Sequence, residues 1–131
     1  MDKAALIATL QAALPDLLAI YAFGSRITGT ANQNSDLDLA VLTGVSADTV
    51  KLWHLSSDLA EIAGCDVDLL DMRSASTVMQ YQILMTGERW WAKDVRAGLF
   101  ECYVLSAKTE LDTARAPLLK EIQEQGTVYG R

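Results

Sequence analysis

Cysteine, histidine, proline and positive charge are all scarce in this sequence. Its 131 residues include two cysteines (Cys65 and Cys102), one histidine (His54) and two prolines (Pro15 and Pro117). The cysteines are far apart and lack metal-ligand spacing, so both are expected to be small buried hydrophobes, and a lone histidine argues against a zinc site. Stability needs no disulfide, because a domain of this length buries about two-thirds of the surface its unfolded chain exposes. Lys and Arg number 11 against 17 Asp and Glu, a net charge of −6. That balance argues against a grip on nucleic-acid backbone through many phosphate contacts, and no direct nucleic-acid binding is expected. No apolar run approaches the roughly 18 residues of a membrane span, and no signal peptide is visible, so a cytoplasmic protein without a membrane partner is expected. Repeats, low-complexity tracts and linkers are also absent, which leaves a single domain over residues 1–131.

What is present centres on residues 17–41. Leu17 to Phe23 is a continuous apolar run, expected to be a strand buried on both faces, and it stops at Gly24-Ser25, where glycine permits a tight turn. If Ser25 opens a short helix, its hydroxyl and the unpaired N–H groups of the first turn form a small anion site suited to phosphate. The second run, Asp36 to Leu42, alternates with period two and puts Asp36 and Asp38 on one face, Leu37 and Leu39 on the other. Two carboxylates about 4 Å apart repel by about 4 kcal/mol at an effective dielectric of about 20, so such a pair calls for a proton or a cation. Mg²⁺, a hard oxygen-seeking ion, is the natural partner. A phosphate cradle beside such a pair is the equipment of phosphoryl or nucleotidyl transfer.

Two rival motifs fail on single residues. Gly24 and Gly29 have the spacing that opens a P-loop, but Thr30 and Ala31 stand where Lys and Ser or Thr are required. Asn34, Asp36 and Asp38 have the spacing of a calcium loop, but Leu39 takes the Gly position and Val45 the final Glu position.

Gly24-Ser25 followed by Asp36-Leu37-Asp38 resembles the signature of the DNA-polymerase-β-like nucleotidyltransferases. The small size and the fuller strings, Gly24 to Thr30 and Ser35 to Val41, resemble its minimal (MNT) branch. The resemblance implies an α/β (α+β) fold with a small mixed sheet of about four strands flanked by helices. Asp36 and Asp38 would then hold Mg²⁺, and a third carboxylate from a later strand would complete the metal site. Gly24 and Ser25 would cradle the triphosphate, and Arg26 would neutralise the pyrophosphate leaving group.

In chain order, Leu6, Ile7, Leu10 and Leu14 mark a packing helix over residues 2–14, which Pro15 ends. Ser46 is the expected N-cap of a helix through Ala63, with Leu52, Leu55, Leu59 and Ile62 on its buried stripe and Gly64 at its end. His54 lies off that stripe, and Trp53 is read as packing. Cys65 to Asp71 is a third strand with Asp66 and Asp68 on one face and Asp71 on the other. Asp68 lies centrally, as Asp38 does, and Val67-Asp68-Leu69 matches the family's third-carboxylate strand, so Asp68 is the expected third member and Asp66 its competitor. Val78, Tyr81, Gln82 and Met85 predict the face of a fourth helix, and Glu88 to Lys93 reads as an edge strand. Trp90 and Trp91 cannot both face the core of a regular strand, which leaves one for a partner surface. Asp94 caps a long C-terminal segment over residues 94–125. Phe100, Val104, Ala107, Leu111, Ala114 and Leu118 form its seam, and Pro117 should kink or split it. The segment exceeds what a small sheet needs as cover, which suggests a docking surface, and residues 126–131 are expected to fray.

Proteins of the minimal branch are commonly paired with a HEPN-domain toxin. The resemblance therefore implies a Mg²⁺-dependent protein adenylyltransferase that moves AMP from ATP to a tyrosine hydroxyl of that toxin, as the antitoxin of a type VII module. The alternative is a non-catalytic antitoxin that neutralises its partner by occlusion. Three costly convergent carboxylates have no purpose in a pure binding module, which favours the enzyme.

Overall fold

The computed structural model describes residues 2–29 and 35–125, with side chains through Ala114. Four strands form one mixed sheet, as the sequence reading expects, and their order is β3-β2-β1-β4. The elements are α1 (Lys3–Ala13), β1 (Leu17–Phe23), α2 (Ser25–Thr28), β2 (Leu37–Thr43), α3 (Thr49–Ala63), β3 (Val67–Asp71), α4 (Thr77–Thr86), β4 (Glu88–Ala92) and α5 (Val95–Gln125), with a short 3-10 turn at Met72–Ser74. β1 is antiparallel to β2 and β4, whereas β2 and β3 are parallel and joined through α3, as a parallel pair requires a crossover.

The central strands separate two apolar clusters. Leu17, Ile20, Ala22, Leu37, Leu39 and Val41 pack under α1 and α3 against Leu6, Leu10, Leu52, Leu55 and Leu59. Leu18, Tyr21, Ala40 and Leu42 pack on the other face against Met72, Ile83 and Ala97. β1 and β2 are thus covered on both sides, which is why they read as nearly continuous apolar runs. Tyr21, buried in the second cluster, donates its hydroxyl to Glu101 Oε2 at 2.8 Å, and Arg89 pairs with the same oxygen at 2.9 Å. These contacts tie α5 to β1 and β4, and burial together with Glu101 holds the Tyr21 phenol protonated. Gly87, between α4 and β4, has no room for a side chain. A Cβ there would lie 2.6 Å from the carbonyl oxygens of Ala22 and Ile83.

Several details differ from the sequence reading, each for a local reason. The cap of α3 is Asp48, whose carboxylate accepts from the Val50 N–H at 3.0 Å, and Ser46 lies outside the helix. Cys65 is half-buried and Cys102 exposed, so neither is the core residue expected. Trp53 is 69% exposed and does not pack in the core. On α4 the buried residues are Gln80 and Ile83, while Val78 and Met85 face outward. Gln80 is accepted inside because its amide donates to the Met72 carbonyl at 2.9 Å. Trp90 and Trp91 both pack against the α1-side cluster. The register slip between Ile20 and Tyr21 places an extra residue opposite β1, and such a bulge removes the strict alternation.

α5 is continuous in backbone from Val95 to Gln125 and is not split at Pro117, and its 31 residues span about 46 Å. Ala97 and Val104 are its fully buried residues among those described. The side chains of Pro117 and Leu118, the polar connection at 30–34 and the tail at 126–131 lie outside the described residues. Among the described residues no helix is long and apolar enough to cross a membrane.

The capping assignment is directly testable. Asp48→Ala should lower the unfolding free energy by about 1 kcal/mol in urea titrations, and Ser46→Ala by less than about 0.3 kcal/mol. Equal losses would restore Ser46 as the cap.

Candidate active site

The site forms where β1 ends and β2 and β3 begin. Pairing places Phe23 opposite Asp38, and Asp38 opposite Asp68, in one row across three strands. Side chains in register on neighbouring strands share a face. Asp38 and Asp68 therefore point the same way, toward the α4 and α5 side that Ala40 and Leu42 also occupy. Asp36 precedes β2 and is exposed, as is Asp68, while Asp38 is half-buried. The Asp38 carboxyl is held above its ordinary value of 3.8, first by desolvation and then by the charges of Asp68 and Asp36. Asp66 is exposed one residue ahead of β3, and its backbone carbonyl accepts from the Leu37 N–H at 2.9 Å, tying the start of β3 to the start of β2. Asp71 is buried in a structural role, accepting from the N–H groups of Ala47 and Arg73 and from the Ser74 hydroxyl.

Gly24 is fixed by this arrangement twice over. Its φ is +81°, a region that side chains disfavour. A Cβ there would also lie 2.1 Å from Asp38 Oδ2. The turn and the carboxylate therefore touch because residue 24 has no side chain. Ser25 opens α2, a single turn whose Ile27 and Thr28 N–H groups return to the Gly24 carbonyl, both at 3.1 Å. The N–H groups of Ser25 and Arg26 precede the first intrahelical bond, so they face outward, as in any first turn. Arg26 donates Nε to the Ser35 carbonyl at 2.9 Å, which anchors α2 to the segment that leads through Asp36 into β2 and leaves its two terminal nitrogens to offer.

A cleft of about 310 Å³ lies beside this turn, lined by Gly24, Ser25 and Thr28 and by Met79, Gln82 and Thr86 of α4. Of these α4 residues the sequence reading places only Gln82 on the helix face, and it gives Met79 and Thr86 no part in the site. Their one available signal is the polar pair Gln82 and Thr86 at i, i+4, an outward face, with the Thr86 hydroxyl bonded back to the Gln82 carbonyl at 2.7 Å.

The donor set suits Mg²⁺: three carboxylates, two of them exposed at strand starts and one already crowded by charge. As the side chains lie, no three acidic, His or Cys groups among the described residues stand close enough to hold a metal ion. Closing the set takes rotation of the exposed Asp36 and Asp68 side chains, since the strand register already fixes the backbone of Asp38 and Asp68 side by side.

Comparison with known proteins places the fold in a family. The family described as polymerase beta, nucleotidyltransferase matches residues 5–96. The protein adenylyltransferase MntA of Shewanella oneidensis is 34% identical over 122 residues, covering 93% of this chain and 88% of that protein. A crystal structure of a toxin–antitoxin with AMP-PNP superposes with a TM-score of 0.82 at 34% identity, covering 94% of this chain and 99% of that one. A tri-AMPylated Shewanella oneidensis HEPN toxin in complex with its MNT antitoxin matches at 0.75 and 31% identity, over 92% of this chain and 95% of that one.

The raised Asp38 carboxyl has a stability consequence. A folded-state value above the unfolded one favours the folded protein only where Asp38 is protonated, and that contribution is lost as pH rises through the folded value. Asp38→Asn should therefore raise the urea midpoint at pH 7, with the gain disappearing as pH falls below 3.8. A midpoint that drops at pH 7 would contradict the crowding.

Proposed function

The chain belongs to the polymerase β nucleotidyltransferase family, and we propose that its reaction is transfer of AMP from ATP to a tyrosine hydroxyl of a HEPN-domain toxin, for which it is the antitoxin. The observation that carries this reading is the row of Asp38 and Asp68 in register beside a glycine turn with no side chain between turn and carboxylate. The relatives described above support the nucleotide and the class of acceptor. The net charge of −6 suits a nucleotide substrate better than a nucleic-acid one.

Each residue has a definable task. The outward N–H groups at Ser25 and Arg26 and the Ser25 hydroxyl bind triphosphate oxygens, a geometry that Gly24 makes possible by admitting close approach. The terminal nitrogens of Arg26 offset charge on the leaving pyrophosphate. Asp68 accepts the acceptor's hydroxyl proton. The acceptor oxygen then bonds to the α-phosphorus, and the bond from that phosphorus to the bridging oxygen breaks, its electron pair leaving with pyrophosphate. Asp36, Asp38 and Asp68 would hold Mg²⁺, which would offset the charge developing on the phosphate oxygens. AMP attached to the toxin adds a bulky anion where RNA phosphates must approach, which accounts for neutralisation.

The long helix has a separate part. The segment 94–125 is the docking surface for the toxin, an assignment supported by the exposure of Leu99, Tyr103 and Leu105 on a helix longer than its sheet.

Intact-mass spectrometry of the toxin after incubation with this chain, ATP and Mg²⁺ tests the chemistry. Additions of AMP are expected, and Asp36→Asn with Asp38→Asn should reduce their rate at least about a hundredfold, the scale on which lost charge stabilisation acts. Asp68→Asn should do the same, whereas Asp66→Asn should stay within about threefold of wild type. A stable complex without added mass would favour neutralisation by occlusion. For docking, deletion of residues 117–131 should weaken toxin binding more than it lowers the Tm, and unchanged binding with a collapsed Tm would make the segment structural.

A further inference from the structure

A second cleft, of about 680 Å³, lies on the α4 and α5 side of the sheet and is lined by Arg73, Gln80, Arg96, Phe100 and Tyr103 among others. It reaches Leu18 at the start of β1 and Gly44 just past β2. Asp38 and Thr43 stand at opposite ends of β2, about 17 Å apart at strand rise. The cleft is therefore separate from the carboxylate row, and AMP transfer makes no use of it.

Arg73 is built into this cleft. The buried Asp71 carboxylate accepts from its backbone N–H at 3.1 Å, and its Nε donates to the Thr43 carbonyl at 2.6 Å. Its guanidinium also lies over the Phe100 ring, 5.6 Å from the centroid. These contacts fix the plane of the guanidinium, while its two terminal nitrogens make no hydrogen bond among the described residues. A guanidinium held in this way presents the fork that matches the two oxygens of a carboxylate. Gln80 supplies the complementary group. It is only 7% exposed, and its amide nitrogen is taken by the Met72 carbonyl. Its side-chain oxygen accepts from no described residue and opens on the cleft, since no buried side-chain oxygen among the described residues lacks a partner. Arg96 adds a second guanidinium, held by Asp94 through Nε at 3.0 Å and a terminal nitrogen at 2.7 Å. No carboxylate lines the cleft itself among the described residues. Leu99 and Tyr103 of α5, 62% and 66% exposed, form its apolar wall.

We propose that this cleft is the anchor of the toxin-docking face, and that its occupant is an acidic segment of the toxin, with an Asp or Glu carboxylate on Arg73 and a neighbouring apolar side chain against Leu99 and Tyr103. This inference rests on the reading above that residues 94–125 dock the toxin, and it adds the chemistry of the segment received. Charge complementarity carries the choice. In a chain of net charge −6, two guanidinium groups with no carboxylate between them make a local positive site, which a basic or neutral segment would leave unpaired. The Gln80 oxygen accepts a backbone N–H of the same segment, a donor that a free inorganic anion lacks. The apolar wall belongs to α5, so the cleft is continuous with the docking helix. Anchoring at this end of the sheet holds the toxin without covering the nucleotide site.

The test compares wild type, Arg73→Ala and Arg73→Lys by calorimetry, with the toxin and separately with AMP-PNP. Arg73→Ala should weaken toxin binding about tenfold or more and leave AMP-PNP affinity within about twofold of wild type. Arg73→Lys should recover only part of the loss, because an ammonium keeps the charge and loses the fork. In the complex of Arg73→Lys with the toxin, a zero-length carbodiimide should join position 73 to an Asp or Glu of the toxin, located by peptide mass spectrometry. This coupling decides the matter even where Arg73→Ala lowers the Tm. Unchanged toxin binding, or coupling of position 73 to carboxylates of this chain alone, would overturn the anchor. A second, Arg73-dependent equivalent of AMP-PNP would overturn it in favour of a small-anion site. Absence of any complex with wild type would instead overturn the docking reading, and that failure is visible before any variant is compared.

Discussion

Repulsion between carboxylates held at strand spacing is the constraint on which the rest of this structure depends. Asp38 and Asp68 face each other across parallel strands that lie about 4.8 Å apart, with Asp36 adding its charge from just before β2. Flexible loops would relieve such crowding by moving apart. β2 cannot, because Leu37, Leu39 and Val41 are clamped on one face and Ala40 and Leu42 on the other. Burial of the neighbouring apolar residues thus converts an unfavourable charge arrangement into a fixed one. The absence of a side chain at Gly24 then lets the turn approach the most crowded carboxylate. Preorganised charge of this kind gives a cation or a proton its purpose in the site.

The layout around that point follows a division of labour between the two ends of the row. On the β1 side, a single helical turn offers N–H groups, and Arg26 binds the turn to Ser35, just ahead of Asp36 and β2. On the β3 side, the sheet simply ends, leaving an edge and a groove. The parallel β2–β3 pair, made possible by α3, brings a third carboxylate into register from a distant part of the chain. Crossover and carboxylate are thus consequences of one supersecondary unit.

Much of this was legible in the sequence, and for a physical reason. β1 and β2 are buried on both faces, so their runs are nearly all apolar, and Asp36 just before β2 and Asp38 within it keep the period of a strand. The pairing of Asp38 with Asp68, rather than with Asp66, depends on parallel register, and central position in an apolar strand was a fair guide to it. What the sequence hid was tertiary. The bulge opposite Ile20 and Tyr21 brings Trp90 and Trp91 to the same cluster, a slip that no alternation rule announces. Gln80 is buried because Met72 supplies an acceptor from another element, so polarity misplaced the inner face of α4. Trp53 reads as packing because large aromatic residues usually pack, yet it stands beside the buried stripe of Leu52, Leu55 and Leu59 and faces solvent. Ser46 and Asp48 are both good caps, and only loop geometry decides between them.

The central claim is that Asp38 is a crowded carboxylate built to be relieved by a metal ion with its nucleotide. The most direct measurement is an NMR titration of the Asp38 side-chain carboxyl, first without divalent ions and then with Mg²⁺ and AMP-PNP. The account predicts titration above the ordinary value of 3.8 in the free protein and a fall below it when both are bound. An Asp38 that titrates as an ordinary aspartate and does not respond to Mg²⁺ and nucleotide would contradict it.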